Sequence, residues 1–123
     1  MGASERVLVV DDDETISEFV GMALSDEGYN VVTAPHGAAA LELIARDGEP
    51  GLILLDMRMP VMDGWQFSRE YRQRGGTRAP IVVLTAAADA ELSAKQIQAD
   101  AFLAKPFDLT ELLALVDRYV HRA

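Results

Sequence analysis

Three aspartates, a threonine and a lysine are the side chains of this 123-residue sequence that could do chemistry together. Asp11 and Asp12 follow the apolar run Val7–Val10, and Asp56 follows Leu52–Leu55. Thr85 follows Ile81–Leu84, and Lys105 follows Ala101–Ala104. Carboxylates gathered in one crevice repel one another, which raises their pKa values and destabilises the metal-free fold. A hard divalent cation relieves that repulsion: magnesium, or manganese in its place, takes one or two carboxylates together with water and phosphate oxygens. Lys105 adds a point charge suited to phosphate, and Thr85 adds a hydroxyl donor. The set therefore suits a metal ion, a phosphoryl group and an aspartate that could accept it. Singly, each residue has a plainer reading. An acidic run before a helix is a cap, Asp56 could be a turn residue, Thr85 could end a strand, and Lys105 could be solvated. Only the chemical reading requires all of them at one place.

That place depends on the elements between them. The runs Val7–Val10, Asn30–Thr33, Leu52–Leu55 and Ile81–Leu84 are short and rich in β-branched residues and leucine. Three are continuous rather than alternating, as expected of strands buried on both faces. Ala101–Ala104 is a fifth, weaker run. Helical patterns lie between. Ile16, Phe19, Val20, Ala23 and Leu24 share one helical face, with Asp13 as N-cap and Gly28 as the stop. Ala38–Arg46 is closed by Asp47-Gly48, and Gly64–Arg74 by Gly75-Gly76, with Phe67 and Tyr71 turned inward. Ala88–Ala99 is the least periodic. A last helix over 109–121 carries the stripe Leu109, Leu112, Leu113, Val116 and Val120. Five βα units imply an α/β doubly wound parallel sheet, (βα)5, in the flavodoxin-like strand order 2-1-3-4-5. In that order the first and third strands are neighbours, so Asp11, Asp12 and Asp56 converge at the switch point where such folds bind ligands.

Composition narrows the field. Half of the residues are hydrophobic and a quarter charged, which are globular values. The absence of cysteine excludes a disulfide framework and thiolate-held metals. A net charge of −9 disfavours direct contact with nucleic acid or an anionic membrane. No apolar run approaches the roughly 20 residues that span a bilayer, and Met1–Arg6 lacks the basic start and apolar stretch of a leader. The expectation is one cytoplasmic domain over 1–123, with no output domain because the last helix uses the final residues. P-loop and dinucleotide fingerprints are absent.

The sequence resembles a response-regulator receiver domain of the kind found in two-component and chemotaxis signalling. The matching motifs are Val7-Leu-Val-Val-Asp-Asp-Asp13, Leu54-Leu-Asp-Met-Arg-Met-Pro-Val-Met-Asp-Gly64, Val83-Leu-Thr-Ala86 and Ala104-Lys-Pro-Phe107. They occur in the family order over nearly the whole chain. The resemblance implies that Asp56 is the phosphorylated nucleophile. It implies that Asp11, Asp12, Asp56 and the backbone carbonyl of Arg58 hold magnesium. Lys105 would contact phosphoryl oxygens ahead of a cis peptide to Pro106, Thr85 would swing toward them, and Phe102 would be the aromatic switch, against a plain reading of Phe102 as core packing. It implies a histidine kinase or phosphotransfer protein as donor, and an unidentified downstream protein or a phosphorylation-dependent homodimer as readout. Arg58 and Ala87 depart from the family pattern and bear on the lifetime of the phosphorylated state. Arg58 either reaches a phosphoryl oxygen and gates hydrolysis, or pairs with a surface carboxylate.

Two rivals remain at this stage. Asp11-Asp-Asp-Glu-Thr15 also fits the Asp-x-Asp-x-Thr signature of haloacid-dehalogenase-type phosphohydrolases, with Asp11 as nucleophile and Asp13 as acid/base. That reading lacks an acidic pair on a later strand and leaves Asp56–Gly64 unexplained. The other rival is a receiver-like interaction module that is never phosphorylated.

Overall fold

The computed structural model of the chain describes residues 6–76 and 78–120. Five strands alternate with five helices: β1 (Arg6–Val10), α1 (Glu14–Asp26), β2 (Asn30–Ala34), α2 (Gly37–Asp47), β3 (Leu52–Leu55), α3 (Gly64–Gln73), β4 (Ile81–Ala86), α4 (Ala87–Ile97), β5 (Ala101–Lys105) and α5 (Leu109–Tyr119). All strand pairs are parallel and the order is β2-β1-β3-β4-β5.

The continuous apolar strands are buried on both sides, as their composition requires. Val7, Val9, Leu52, Leu54, Val82 and Leu84 point into a core with Val20 and Leu24 of α1 and Leu112 and Val116 of α5. Leu8, Val10, Ile53, Leu55, Ile81 and Val83 point the other way, onto Leu41 and Ile44 of α2, Phe67 and Tyr71 of α3, and Ala94 and Ile97 of α4. This alternation within uninterrupted apolar runs is the period of two expected of a pleated strand. The rings of Phe67 and Tyr71 stack 5.5 Å apart.

Most helices begin on a side-chain cap. Asp13 accepts from the backbone N–H groups of Thr15 and Ile16, Asp63 from Gln66, and His36 Nδ1 from Ala39. Asp108 and Glu111 form a reciprocal capping box. The α4 helix differs at both ends. Ala86 gives its N-terminus no side-chain cap. Its C-terminus closes through Gln98 in the left-handed conformation, and the Arg72 guanidinium donates to the carbonyls of Ile97 and Gln98.

Several sequence expectations are corrected. Phe19 shares the inward stripe of α1 but is 45% exposed, because α5 packs against Val20 and Leu24 and leaves Phe19 at the lip of a groove of ≈ 360 Å³ with Ile16, Pro106 and Phe107. Leu109 is exposed at the first turn of α5. The α5 helix stops at Tyr119, and Val120 turns extended while staying buried. The expected helix over 109–121 is therefore too long: Val120 already leaves the helical region. The α4 helix runs from Ala87 to Ile97 rather than Ala88 to Ala99, since Gln98 leaves the right-handed region. The α2 helix is one residue longer at each end, α3 stops at Gln73, β2 and β5 each extend one residue further, and β4 extends two.

Candidate functional site

Each candidate side chain emerges where a strand ends. The ladder carries Asp11 and Asp56 side by side: the Asp56 N–H donates to Val10 O at 2.9 Å, and the Asp11 N–H to Ala34 O at 3.1 Å. Ala86 and Lys105 are register partners, which sets Thr85 one step inside the same edge.

Asp11 is fixed at both carboxylate oxygens. Its Oδ1 accepts from the Asp13 N–H at 2.9 Å, and its Oδ2 accepts from Lys105 Nζ at 2.8 Å. The same ammonium lies 3.8 Å from Asp56 Oδ1. One oxygen from each of Asp11, Asp12 and Asp56 falls within a 4.8 Å group. Asp11 and Asp56 are buried while Asp12 is exposed. Burial first, and the charge on Asp11 second, push the Asp56 carboxyl up to about 6. Lys105 and the Arg58 N–H pull against that shift, and Asp12 adds to it. Three carboxylates thus face one ammonium. A set of hard oxygen donors with unbalanced negative charge fits a divalent cation of the magnesium type.

The loop after Asp56 folds back tightly. The Gly64 N–H donates to Met57 O at 2.9 Å. A Cβ on Gly64 would lie 2.8 Å from Met57 Cα and 2.9 Å from the Asp56 carbonyl oxygen, so only glycine allows α3 to start this close to the site. The Asp63 cap and Gly64 therefore set the position of Asp56 from behind.

The structure brings Asp11, Asp12, Asp56 and Lys105 together, with Thr85 buried at the adjoining end of β4. The Lys105–Pro106 peptide is cis. Phe102 is 43% exposed and belongs to neither core cluster, which removes the core-packing reading. Arg58 takes the surface-pair geometry: its Nε lies 3.3 Å from Asp89 Oδ2, and its guanidinium carbon sits 5.4 Å from the Trp65 ring centroid. Asp13 caps α1, accepting from the Thr15 and Ile16 N–H groups, which is the plain role and not that of an acid/base.

Asp89 and Trp65 escaped the sequence reading. Trp65 Nε1 donates to Gln96 Oε1 of α4 at 2.8 Å, and Asp89 lies in the first turn of that helix. Their one sequence signal is that Asp89 stands four residues after Thr85 and Trp65 directly after Gly64, with no period to connect them to Arg58.

Comparison with known proteins gives a consistent result. Residues 7–117 match the family model of the response regulator receiver domain. Regulatory protein AtoC of Escherichia coli is 38% identical over 120 residues, which is 96% of this chain and 26% of that protein. Response regulator MprA of Mycobacterium leprae is 40% identical over 95% of this chain and 51% of its own length. The chain thus spans about half, or less, of these curated relatives. The solved structure of response regulator TrrA from Thermotoga maritima, in complex with Mg(2+)-BeF, superposes with a TM-score of 0.81 at 32% identity, covering 94% of this chain and 99% of that one.

Proposed function

Since the chain belongs to the response regulator receiver domain family of two-component signalling, we propose that Asp56 accepts its phosphoryl group and that Asp11, Asp12 and Lys105 serve that transfer. The observation that carries this reading is the single ammonium of Lys105 held between two buried carboxylates, 2.8 Å from Asp11 and 3.8 Å from Asp56.

In the transfer an Asp56 carboxylate oxygen attacks phosphorus. The bond from phosphorus to the donor breaks, and its electron pair leaves with the donor, a phosphohistidine of a kinase or phosphotransfer protein. With its carboxyl at about 6, Asp56 is mostly ionised at neutral pH and is a usable nucleophile. Asp11 orients Lys105, whose Nζ then meets a phosphoryl oxygen. Asp11, Asp12, Asp56 and the Arg58 backbone carbonyl would hold magnesium or manganese, which when bound neutralises charge on the phosphoryl oxygens. Thr85 turns toward the new phosphoryl group and Phe102, half-exposed on β5, follows it. That change alters the face read by a downstream protein or a second copy. A cytoplasmic location follows from the same donor; the described residues contain no helix long and apolar enough to cross a membrane.

The test is incubation with magnesium and acetyl phosphate, then mapping of the labelled residue. Asp56 should carry the label, and Asp56→Asn should abolish it while the fold persists. Label on Asp11, or none on any residue, overturns the reading, and the second result favours an unphosphorylated interaction module.

A further inference from the structure

Arg58 begins beside the site and ends away from it. It stands two residues past Asp56, and its backbone N–H lies near enough to the Asp56 carboxylate to favour the ionised form, so its Cα lies at the rim of the crevice. Its side chain instead crosses over the ring of Trp65, at the start of α3, to Asp89 of α4. The Arg58 side chain is 67% exposed and that of Asp89 37%, so the pair is screened and weakly held. A guanidinium on this stem spans roughly 6–7 Å and has a fork of donors that matches phosphate oxygens. Its present partner is one exposed carboxylate plus one ring face. A phosphoryl group on Asp56 would bring about two negative charges within its reach.

We propose that Asp89 is a positioning residue that withholds the Arg58 guanidinium from the Asp56 crevice, and that the phosphoryl group competes with Asp89 for it. The proposal rests on phosphorylation at Asp56 and adds what sets the lifetime of that state. Loss of the group is hydrolysis: water attacks phosphorus, the bond from phosphorus to the Asp56 oxygen breaks, and the electron pair stays on the carboxylate. Inorganic phosphate leaves and a proton passes to solvent. An arginine over the phosphoryl oxygens stabilises the acyl phosphate and occupies the approach of that water. Ala87, exposed at the start of α4, adds no bulk there. Asp89 therefore shortens the lifetime by holding Arg58 back. The same exchange has a mechanical side. Arg58–Asp89 is a tie on the first turn of a helix that has no side-chain cap, so moving Arg58 releases that turn.

The experiment compares the parent with Asp89→Asn, Arg58→Ala and the double variant. Each is phosphorylated with acetyl phosphate and magnesium, the donor is removed, and loss of label is followed. Asp89→Asn should retain phosphate about fivefold longer, the scale of one exposed ion pair. Arg58→Ala should lose it faster than the parent, and the double variant should match Arg58→Ala. Trp65 is the sole tryptophan and reports the guanidinium directly. Its emission should shift when magnesium and beryllofluoride are added to the parent. It should be shifted beforehand in Asp89→Asn, and should not respond in Arg58→Ala. Normal labelling with decay of Asp89→Asn at the parent rate overturns this proposal alone, as does an equal effect of Asp89→Asn in the Arg58→Ala background. Absence of label on Asp56 in the parent overturns the functional reading and this proposal with it.

Discussion

Replacing Asp56 by asparagine should stabilise the metal-free protein. The Asp56 carboxyl stands at about 6 against an ordinary 3.8, chiefly because it is buried and secondarily because Asp11 is beside it. A carboxyl raised in the folded state holds its proton more tightly there than in the unfolded chain. The penalty is complete above about pH 6, shrinks as pH falls, and vanishes below about pH 4, so stability contributed at this site declines as pH rises through that window. Two pKa units correspond to a ceiling of about 3 kcal/mol. Water reaches the crevice, since Asp12 is exposed and the Lys105 side chain is 23% exposed, so about 1–2 kcal/mol is expected after screening. Asparagine keeps the shape and loses the charge. Lys105 retains its closer partner, Asp11 at 2.8 Å. The assay is urea unfolding of parent and Asp56→Asn in EDTA at pH 8 and pH 5, the latter still above the sequence pI of ≈ 4.5. The variant should be more stable at pH 8, with the gap falling to about half at pH 5. A variant no more stable than the parent at pH 8, or a gap that ignores pH, would refute the charge-repulsion argument.

Magnesium should raise the melting temperature of the parent by the equivalent of about 2.7 kcal/mol at 100 times its dissociation constant, and Asp12→Ala should remove most of that gain; a parent curve indifferent to magnesium speaks against the acidic trio as a cation site. Gly64→Ala should cost about 1–3 kcal/mol in urea unfolding and slow label uptake at Asp56, because the added Cβ presses on Met57 and the Asp56 carbonyl. With magnesium and beryllofluoride, amide hydrogen exchange should change more over residues 86–108 than over 16–46, and the opposite distribution would remove α4 and β5 as the responding elements.

The sheet could be read from the sequence because Val7–Val10, Leu52–Leu55 and Ile81–Leu84 have no polar face to hide. The site could be read for a related reason: Asp11, Asp56 and Thr85 are the first polar residues after fully buried strands, so topology alone brings them to one edge. One cap was legible, Asp13, whereas Asp63 and Asp108 cap α3 and α5 without having been singled out. Exposure was not. Periodicity places Phe19 and Leu109 on the inward stripes but does not say how far a neighbouring helix covers a stripe. The ends of α4 were missed because an alanine-rich segment continues a helix readily, and its stop is a non-glycine residue, Gln98, at φ 55°. The Arg58–Asp89 contact joins two different βα units 31 residues apart, and no local spacing encodes it.

The unequal ends of α4 make it a lever. Arg72, the left-handed Gln98 and the Trp65–Gln96 hydrogen bond pin its C-terminus as a fulcrum, while the first turn is tied to a neighbouring element through Arg58–Asp89. Eleven residues at 1.5 Å each give an arm of about 16 Å. A 1 Å shift of the first turn then needs only about 4° of tilt, and displacement shrinks steadily toward Ile97. Ile97 and Ala94 can keep their places in the core while Asp89 and the exposed Leu92 travel. A partner resting on the N-terminal half of α4 would feel the state of Asp56 most strongly, and one resting near Gln96 hardly at all.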